Sequence, residues 1–241
     1  MDDPRGSTPP PDPIAPPPRR RVARHLRRSA LLFGLVVGLF VGTLAIRPYV
    51  SLNLGVIAPG LAYRSSTPGG WVGDVIREQR LASILNLRGG KPTDGWYIRE
   101  VQGAREAGVD FYDFPLSAVR RPTRRELLML IDVLASAPPP ILIHCRAGAD
   151  RTGLASALYK LYVLGLPPEE AMDQFSIRYG HVAFLGTERL HEPINEYAAW
   201  LKTRKVAHSP DRFRRWVMDD YRAEDPSVEP RRLAAGPRHP V

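Results

Sequence analysis

Short apolar runs alternate with helix-like segments between residues 60 and 205, and this alternation constrains the fold more than any other feature of the sequence. Three of the runs have the length and composition of buried strands, namely residues 83–87, 109–116 and 141–143. Strands that alternate with helices are typical of a parallel sheet covered by helices. We therefore expect an α/β fold with a mostly parallel central sheet flanked by helices.

The clearest helix signal is a capping box, in which Thr123 is followed three residues later by Glu126 and then by an apolar helical pattern. The prolines at 138–140 end this helix. Further helices are expected over residues 71–81, 97–107, 151–165, 169–179 and 194–205, and a first short strand over residues 60–64.

The overall composition is that of a globular protein. Of the 241 residues, 44% are hydrophobic and 24% are charged, which excludes a fully disordered chain, a coiled coil and a multi-span membrane protein. Lys and Arg outnumber Asp and Glu by 34 to 25, so the net charge is +9. Because Cys145 is the one cysteine, the sequence excludes an intramolecular disulfide and a cysteine-rich zinc site.

The N-terminal segments differ from the rest of the chain. Residues 1–29 are rich in Pro and Arg and predict a disordered tail; a proline-motif ligand and a nucleic-acid-binding arm are alternative interpretations, of which we expect no nucleic-acid binding. Residues 30–46 contain no charge and would form a helix about 25 Å long, within the spanning range. We expect an uncleaved signal-anchor and single transmembrane helix there, with a cleaved signal peptide or a buried core helix as alternatives.

The arginines before residue 30 predict the orientation, because positive residues are retained on the cytoplasmic side. The N-terminus would be cytoplasmic, and a folded domain over residues 48–205 would be periplasmic or otherwise extracytoplasmic. Residues 206–241 are polar and rich in Pro and Arg, and we expect one last amphipathic helix before a disordered tail.

A loop between the apolar strand 141–143 and the next helix carries the chemistry. Its residues are His144, Cys145, Arg146, Ala147, Gly148, Ala149, Asp150 and Arg151, followed by Thr152 and Gly153. A loop at the carboxyl end of a strand that leads into a helix presents backbone N–H groups and the positive helix end to an anion. We call residues 144–151 the phosphate loop, since we expect them to bind a phosphate group.

The residue types of this loop are those of nucleophilic chemistry. N–H groups that bind an anion also stabilise a thiolate, so Cys145 is the predicted nucleophile. The guanidinium of Arg151 can hold two oxygens of a phosphoryl group, and Gly148 lets the backbone turn. The Thr152 hydroxyl can hydrogen-bond the thiolate, and His144 can bond the backbone behind the loop. An inert, buried cysteine is the alternative interpretation.

The segment from His144 to Gly153 resembles the signature loop of the cysteine-based protein tyrosine phosphatases, in the compact dual-specificity form, and its CxxGxDRTG pattern is similar to a bacterial and fungal subgroup. The resemblance extends over residues 60–200. Shorter matching motifs are Tyr63-Arg64-Ser65-Ser66, Asn86-Leu87-Arg88, Phe114-Pro115-Leu116 and Ser176-Ile177-Arg178-Tyr179-Gly180-His181. The resemblance implies hydrolysis of phosphate monoesters through a phospho-cysteine intermediate, without a metal or other cofactor.

The acid that protonates the leaving oxygen is ambiguous in the sequence. The resemblance implies an Asp on a mobile loop about thirty residues before the cysteine, and Asp113 matches this spacing but lies inside a strand-like run. Asp150 is our preferred candidate, because it lies in the loop and some relatives with a similar loop are thought to use it. Its neighbours Arg146 and Arg151 favour the ionised form, which argues against it. A carboxylate that only orients Arg151, or an acid provided by another group or water, remains an alternative.

Several substrates fit these features. Four arginines flank the expected cleft and either recognise a polyanion or lie on a solvated surface, namely Arg120, Arg121, Arg124 and Arg125. Arg178, Tyr179 and His181 either approach the pocket or end a helix. The functions considered are a phosphatase for phosphotyrosine or dual-specificity protein substrates, a phosphatase for phosphoinositides or inositol phosphates, and a non-catalytic phosphate-binding module. Expected partners are the phosphorylated substrate and, through residues 30–46, the membrane.

Overall fold

The computed structural model describes residues 19–50, 52–183 and 186–223. The chain divides into two units, Met1–Thr43 and Leu44–Val241. Helix α1 spans Arg19–Val50, and its described side chains, those of residues 28–43, are almost all exposed. The tails predicted at the two ends lie partly outside the described residues.

The transmembrane helix predicted over residues 30–46 finds no support in the structure. Among the residues described, no helix combines the length and the apolar character that a membrane crossing requires. The predicted orientation and location of the chain stay predictions.

The unit Leu44–Val241 contains a sheet, and five strands belong to it among the described residues. The strands are β1 (Gly55–Ala58), β2 (Ala62–Ser66), β3 (Ser83–Asn86), β4 (Asp110–Asp113) and β5 (Ile141–Cys145). Their order is β1-β2-β5-β3-β4, and all neighbours are parallel except β1 and β2. The predicted mostly parallel sheet is therefore confirmed. Strand β1, which the sequence analysis does not predict, adds an antiparallel hairpin at one edge.

Helices cover both faces of the sheet. Helices α2 (Val72–Gln79) and α3 (Gly95–Glu106) cover one face, and α4 (Arg124–Ser136), α5 (Asp150–Leu158), the short α6 (Pro168–Ala171), α7 (Glu192–Arg204) and α8 (Pro210–Asp219) belong to the other side. Side chains alternate between the faces as expected for strands. Ile84 and Leu142 pack with α2 and α3, whereas Leu85 and Ile143 belong to the larger core on the other face.

The folded unit continues beyond residue 205, where the predicted domain ends. Phe213, Trp216 and Val217 of α8 are buried in the larger core, as is Tyr221 just after the helix. Burial of each such apolar side chain contributes about 1.5–3 kcal/mol to stability. Helix α8 is thus part of the core rather than of a tail.

The helix predicted over residues 169–179 is wrong beyond its first turns. Helix α6 ends at Ala171, and short 3-10 turns follow at Met172–Gln174 and Ile177–Tyr179. The chain leaves the helical conformation at Phe175, with φ −95° and ψ 79°, and the Ser176 hydroxyl then caps the second turn by accepting from the Arg178 N–H. This irregular stretch packs against the start of α5.

The carboxyl ends of the parallel strands meet at one edge of the sheet. Ser66 of β2 pairs with Cys145 of β5, while Asn86 of β3 pairs with both His144 and Asp113. The phosphate loop therefore starts between the ends of β2 and β3, where a ligand site is expected in an open α/β sheet.

Candidate active site

The first half of the phosphate loop is held by donors from the segments around β2. Thr67 donates its hydroxyl to the carbonyl oxygen of Cys145 at 3.0 Å and its backbone N–H to that of Arg146 at 3.4 Å. Asn53 donates its side-chain amide to the carbonyl oxygen of Ala147 at 2.9 Å. Three consecutive carbonyl groups of the loop are thereby fixed from outside.

The second half is held by Arg64, which lies on β2 and is fully buried. Its Nη2 donates to the carbonyl oxygens of Gly148 at 2.8 Å and Ala149 at 3.3 Å. Its Nη1 donates to the backbone oxygen of Gln174 at 2.7 Å and to the side-chain oxygen at 3.0 Å. The guanidinium also stacks 3.8 Å above the ring centroid of Tyr179. One side chain thus joins the loop to the irregular stretch after α6.

These contacts orient the loop for anion binding. In a planar trans peptide the N–H points opposite to the carbonyl, so the N–H groups that follow the five fixed carbonyls are directed away from the supporting donors. Gly148 has φ +71°, and a Cβ there would lie 2.5 Å from the carbonyl carbon of Ser65. This position therefore requires glycine on both conformational and steric grounds.

Arg64 also provides electrostatic support. Burial lowers the pKa of Arg64 to about 10, against the opposing influence of Tyr179 and Cys145. The guanidinium is still protonated at neutral pH, so a buried positive charge lies behind the loop. This charge interacts favourably with Cys145 and Asp150, both of which oppose the lowering of the Arg64 pKa.

The two residues expected to perform the chemistry stand at the two ends of the loop. Cys145 is the last residue of β5 and is 2% exposed. Arg151 lies in the first turn of α5, and its Nη1 donates to the carbonyl oxygens of Leu87 and Leu116, each at 3.3 Å. These oxygens follow β3 and β4, so the arginine reaches across the edge of the sheet at which the loop begins.

Two of the predicted loop residues have different surroundings from those expected. The hydroxyl of Thr152 is buried without a hydrogen-bond partner among the described residues, so its predicted bond to the sulfur is not formed in this state. His144 faces Glu100 of α3, with 3.5 Å between its Nε2 and Glu100 Oε2, and both residues are fully buried. Glu100 Oε1 accepts from the Gly69 N–H at 3.2 Å.

The His144–Glu100 pair is predominantly neutral at pH 7. Burial raises the pKa of Glu100 to about 8, and burial lowers the pKa of His144 to about 3. A neutral carboxyl group at this position does not oppose a negative charge on the adjacent Cys145.

Asp113, one of the two acid candidates, is fixed in the structure by hydrogen bonds to both of its carboxylate oxygens. Oδ1 accepts from the Asn86 amide at 3.0 Å, and Oδ2 accepts from the Tyr97 hydroxyl at 3.0 Å. Both carboxylate oxygens therefore have donors from neighbouring side chains. This environment suits a structural carboxylate better than a proton donor.

Asp150, the other candidate, begins α5 directly before Arg151. Its side chain is 25% exposed, and its Oδ1 lies 2.7 Å from Nδ1 of His181. The carboxyl group therefore has one fixed oxygen while part of the side chain remains accessible at the loop.

Arg120 and Arg121, for which substrate recognition and a solvated surface are the two interpretations from the sequence, both have carboxylate partners within the protein. Arg120 Nη2 lies 2.6 Å from an oxygen of Glu126, the residue that completes the capping box of α4. Arg121 is buried, pairs with Glu196 through both terminal nitrogens and donates to the Tyr221 hydroxyl at 3.0 Å. Both guanidinium groups are thus neutralised by carboxylates of the protein itself.

A basic residue next to the loop was not identified as functional in the sequence. Arg88 donates to the Thr67 hydroxyl at 3.1 Å and stacks 3.8 Å above the Trp96 ring. Burial lowers the pKa of Arg88, and the neighbouring charges of Arg146 and Arg151 lower it further. Three arginines therefore act on one another electrostatically at this site, which favours an anionic ligand.

Sequence comparison decides the family. The model of the tyrosine phosphatase family matches residues 96–224, which is more than half of the chain and includes the whole phosphate loop. The chain belongs to the tyrosine phosphatase family. Among curated proteins, none matches the sequence.

Several solved structures are similar to this chain, and the first of those described here has a TM-score above 0.5 and shares the fold. A DUF442 protein of Shewanella putrefaciens CN-32 aligns with a TM-score of 0.51 at 18% identity, over 68% of this chain and 97% of that chain. TpbA of P. aeruginosa aligns at 20% identity and a TM-score of 0.49, over 63% and 91% of the two chains. The catalytic domain of the PP-IP phosphatase SIW14 of S. cerevisiae aligns at 22% identity and a TM-score of 0.46, over 65% and 96%.

Proposed function

We propose that this protein is a cysteine-dependent phosphatase that hydrolyses phosphate monoesters through a phospho-cysteine intermediate. The observation that carries the proposal is the phosphate loop, in which five consecutive carbonyls, from Cys145 to Ala149, are bound from outside. This arrangement leaves the loop N–H groups free to surround three phosphoryl oxygens.

In the first step, the Cys145 thiolate attacks phosphorus and the bond to the ester oxygen breaks. The loop N–H groups and the Arg151 guanidinium stabilise the negative charge on the transferred group. The carboxyl group of Asp150 donates its proton to the leaving oxygen, which departs as an alcohol or a phenol. The product of this step is phospho-cysteine and an ionised Asp150.

In the second step, a water molecule attacks the phosphorus of the intermediate. The Asp150 carboxylate accepts a proton from this water, and the sulfur leaves as a thiolate. Inorganic phosphate is released, and both side chains return to their initial protonation states.

For the substrate, we propose phosphotyrosine, with phosphoserine or phosphothreonine as further substrates of a dual-specificity enzyme. The description of the matching family supports this choice. The main argument for a polyanionic substrate rested on Arg120 and Arg121, and both side chains are engaged by Glu126 and Glu196. Phosphoinositides and inositol phosphates are therefore the alternative that the experiment has to distinguish.

The test is hydrolysis of p-nitrophenyl phosphate by the full chain. We expect Cys145→Ser to abolish turnover and Arg151→Lys to lower kcat at least about 100-fold, because the bidentate contact is lost. Arg77→Lys, in an exposed ion pair on α2, is the matched control and should retain full activity. Acid quenching of the wild type should trap labelled phosphate on the cysteine. Turnover by the serine variant would contradict the mechanism.

The substrate class is tested separately with a panel. A phosphotyrosine peptide, a phosphothreonine peptide, phosphatidylinositol phosphate vesicles and soluble inositol phosphates are compared by kcat/KM. We expect the phosphotyrosine peptide to have the highest value. A preference for the inositol compounds would leave the phosphatase mechanism intact and replace the proposed substrate.

A further inference from the structure

A histidine that the proposed mechanism does not use lies against the acid candidate. His181 follows the irregular stretch after α6, is 5% exposed, and places its Nδ1 2.7 Å from Oδ1 of Asp150. The two residues are 31 positions apart in the sequence, so the contact depends on how this stretch folds back onto the start of α5.

The imidazole ring is held rigidly. The His181 N–H donates to the Ser176 carbonyl at 3.1 Å, and its ring packs edge-on against Phe175 and His191, with centroid distances of 5.0 and 5.6 Å. Phe175 is in turn fixed on α5, because a Cβ added to Gly153 would lie 3.0 Å from its ring. The ring therefore has a defined position relative to the phosphate loop.

The contacts of the ring also define its tautomer. An ionised carboxylate can only accept a hydrogen bond, so Nδ1 carries the hydrogen when Asp150 is ionised. Nε2 is buried and has no partner among the described residues. A hydrogen on Nε2 would be an unsatisfied buried donor, which is unfavourable. A hydrogen on Nδ1 and none on Nε2 satisfies both conditions.

We propose that His181 is the positioning residue of the general acid: its Nδ1–H holds Oδ1 of Asp150, so that Oδ2 remains directed to the leaving oxygen. This inference rests on the proposed role of Asp150. Without His181, the carboxylate would lose this hydrogen bond and would be free to turn toward the positively charged side chains of the loop, Arg146 four residues before it and Arg151 directly after it. In that orientation it would neutralise the charges that bind phosphate instead of donating a proton.

The test compares substrates whose leaving groups differ in their need for an acid. Phenyl phosphate requires protonation of its leaving oxygen far more than p-nitrophenyl phosphate does. His181→Phe keeps an aromatic ring against Phe175 and His191 but removes the donor. We expect its kcat to fall at least about tenfold more on phenyl phosphate than on p-nitrophenyl phosphate, a part of the 10²–10⁴-fold that acid catalysis contributes.

Three further variants complete the test. His181→Asn places an amide donor near the position of Nδ1 and should restore most of the activity on phenyl phosphate. His191→Leu alters the same aromatic cluster without touching Asp150 and should affect the two substrates equally. The double variant Asp150→Asn/His181→Phe should be no slower than Asp150→Asn alone, because His181 acts through Asp150.

The outcomes separate this inference from the proposed function. An equal loss on both substrates in His181→Phe would show a purely structural histidine and overturn the inference, while the phosphatase function would stand. If Asp150→Asn itself caused no selective loss on phenyl phosphate, the acid assignment would be wrong, and this inference with it. Should His181→Phe fail to fold, ¹⁵N NMR of the wild-type imidazole decides: a hydrogen on Nδ1 supports the inference, and one on Nε2 overturns it.

Discussion

Two buried polar groups lie beside Cys145, one on each face of the sheet, and they differ in charge. On the face covered by α5, Arg64 makes four hydrogen bonds, and with a pKa of about 10 it stays protonated at neutral pH. On the face covered by α3, Glu100 and His144 have pKa values of about 8 and about 3, so both are predominantly neutral there.

The difference shows what a buried ionisable group needs in order to remain charged. Arg64 meets several carbonyl oxygens, which replace the water it has lost. The Glu100 carboxyl group accepts one backbone N–H, and its second oxygen has no hydrogen-bond partner among the described residues. Burial without enough partners removes the charge. Next to Cys145, one face therefore contributes a positive charge and the other contributes no negative charge.

The largest expected effect comes from removing the charged group. Arg64→Leu leaves the carbonyls of Gly148, Ala149 and Gln174 buried without this donor, at about 1–3 kcal/mol each. We expect the free energy of unfolding in urea to fall by about 3 kcal/mol or more, and kcat on p-nitrophenyl phosphate to fall at least about 100-fold.

Arg64→Lys is the matched control for this experiment. Lysine keeps the positive charge but lacks the planar guanidinium group with its several donors. The free energy of unfolding and the kcat of this variant should therefore lie between those of the wild type and of Arg64→Leu. If Arg64→Leu were as stable and as active as the wild type, the loop would not depend on this side chain, and the contrast between the two faces would lose its functional meaning.

The next largest expected effect is that of Glu100, on the neutral face, on the pH dependence of the free energy of unfolding. Between its ordinary pKa of 4.5 and its folded pKa of about 8, Glu100 keeps a proton that the unfolded chain has lost. Its stabilising contribution is therefore lost as the pH rises toward 8, by up to about 1.4 kcal/mol per pH unit. Glu100→Gln cannot titrate, so the variant should lack this decline.

The measurement is urea unfolding of wild type and Glu100→Gln between pH 6.5 and 8, above the ordinary pKa of histidine. The free energy of unfolding of Glu100→Gln, relative to that of the wild type, should increase steadily as the pH rises. Parallel curves across this range would mean that Glu100 is ionised in the folded protein and that the two faces do not differ in charge as described.

The smallest expected effect is an absence of titration at His144. Its folded pKa is about 3, against an ordinary value of 6.5, so the ring should remain neutral from pH 8 down to pH 5. In the unfolded chain, His144 binds a proton as the pH falls below 6.5. The contribution of His144 to the free energy of unfolding therefore decreases below this pH. NMR of ¹⁵N-labelled imidazole groups measures the titration directly, and a His144 midpoint near 6.5 would contradict the neutral pair.

Local signals account for most of what could be predicted from the sequence. The capping box at Thr123 and Glu126 is present with both of its hydrogen bonds, at 3.1 and 2.7 Å. The apolar run at 141–143 forms the core of β5. Strand β1 is not predicted from the sequence, and its antiparallel pairing with β2 is what defines it.

Local sequence signals do not identify the residues that support the phosphate loop. Asn53 and Ala147 are 94 positions apart, and Arg64 and Gly148 are 84 positions apart. The sequence signals for Arg64 are its charge within a short strand and its place in the motif Tyr63-Arg64-Ser65-Ser66, and neither indicates its partners. Asp113 shows the converse case, since its spacing suggests an acid, but nothing in the sequence indicates that Asn86 and Tyr97 hydrogen-bond both of its carboxylate oxygens.

The sequence by itself determined the alternation of strands and helices and the chemistry of the phosphate loop, because the loop is continuous in the chain and its residue types suffice to predict it. The tertiary structure alone decided which ionisable groups keep their charge, which acid candidate has both carboxylate oxygens hydrogen-bonded, and which histidine contacts the other candidate. These properties depend on burial and on hydrogen-bond partners from distant segments, and the folding of the chain is what brings those segments together.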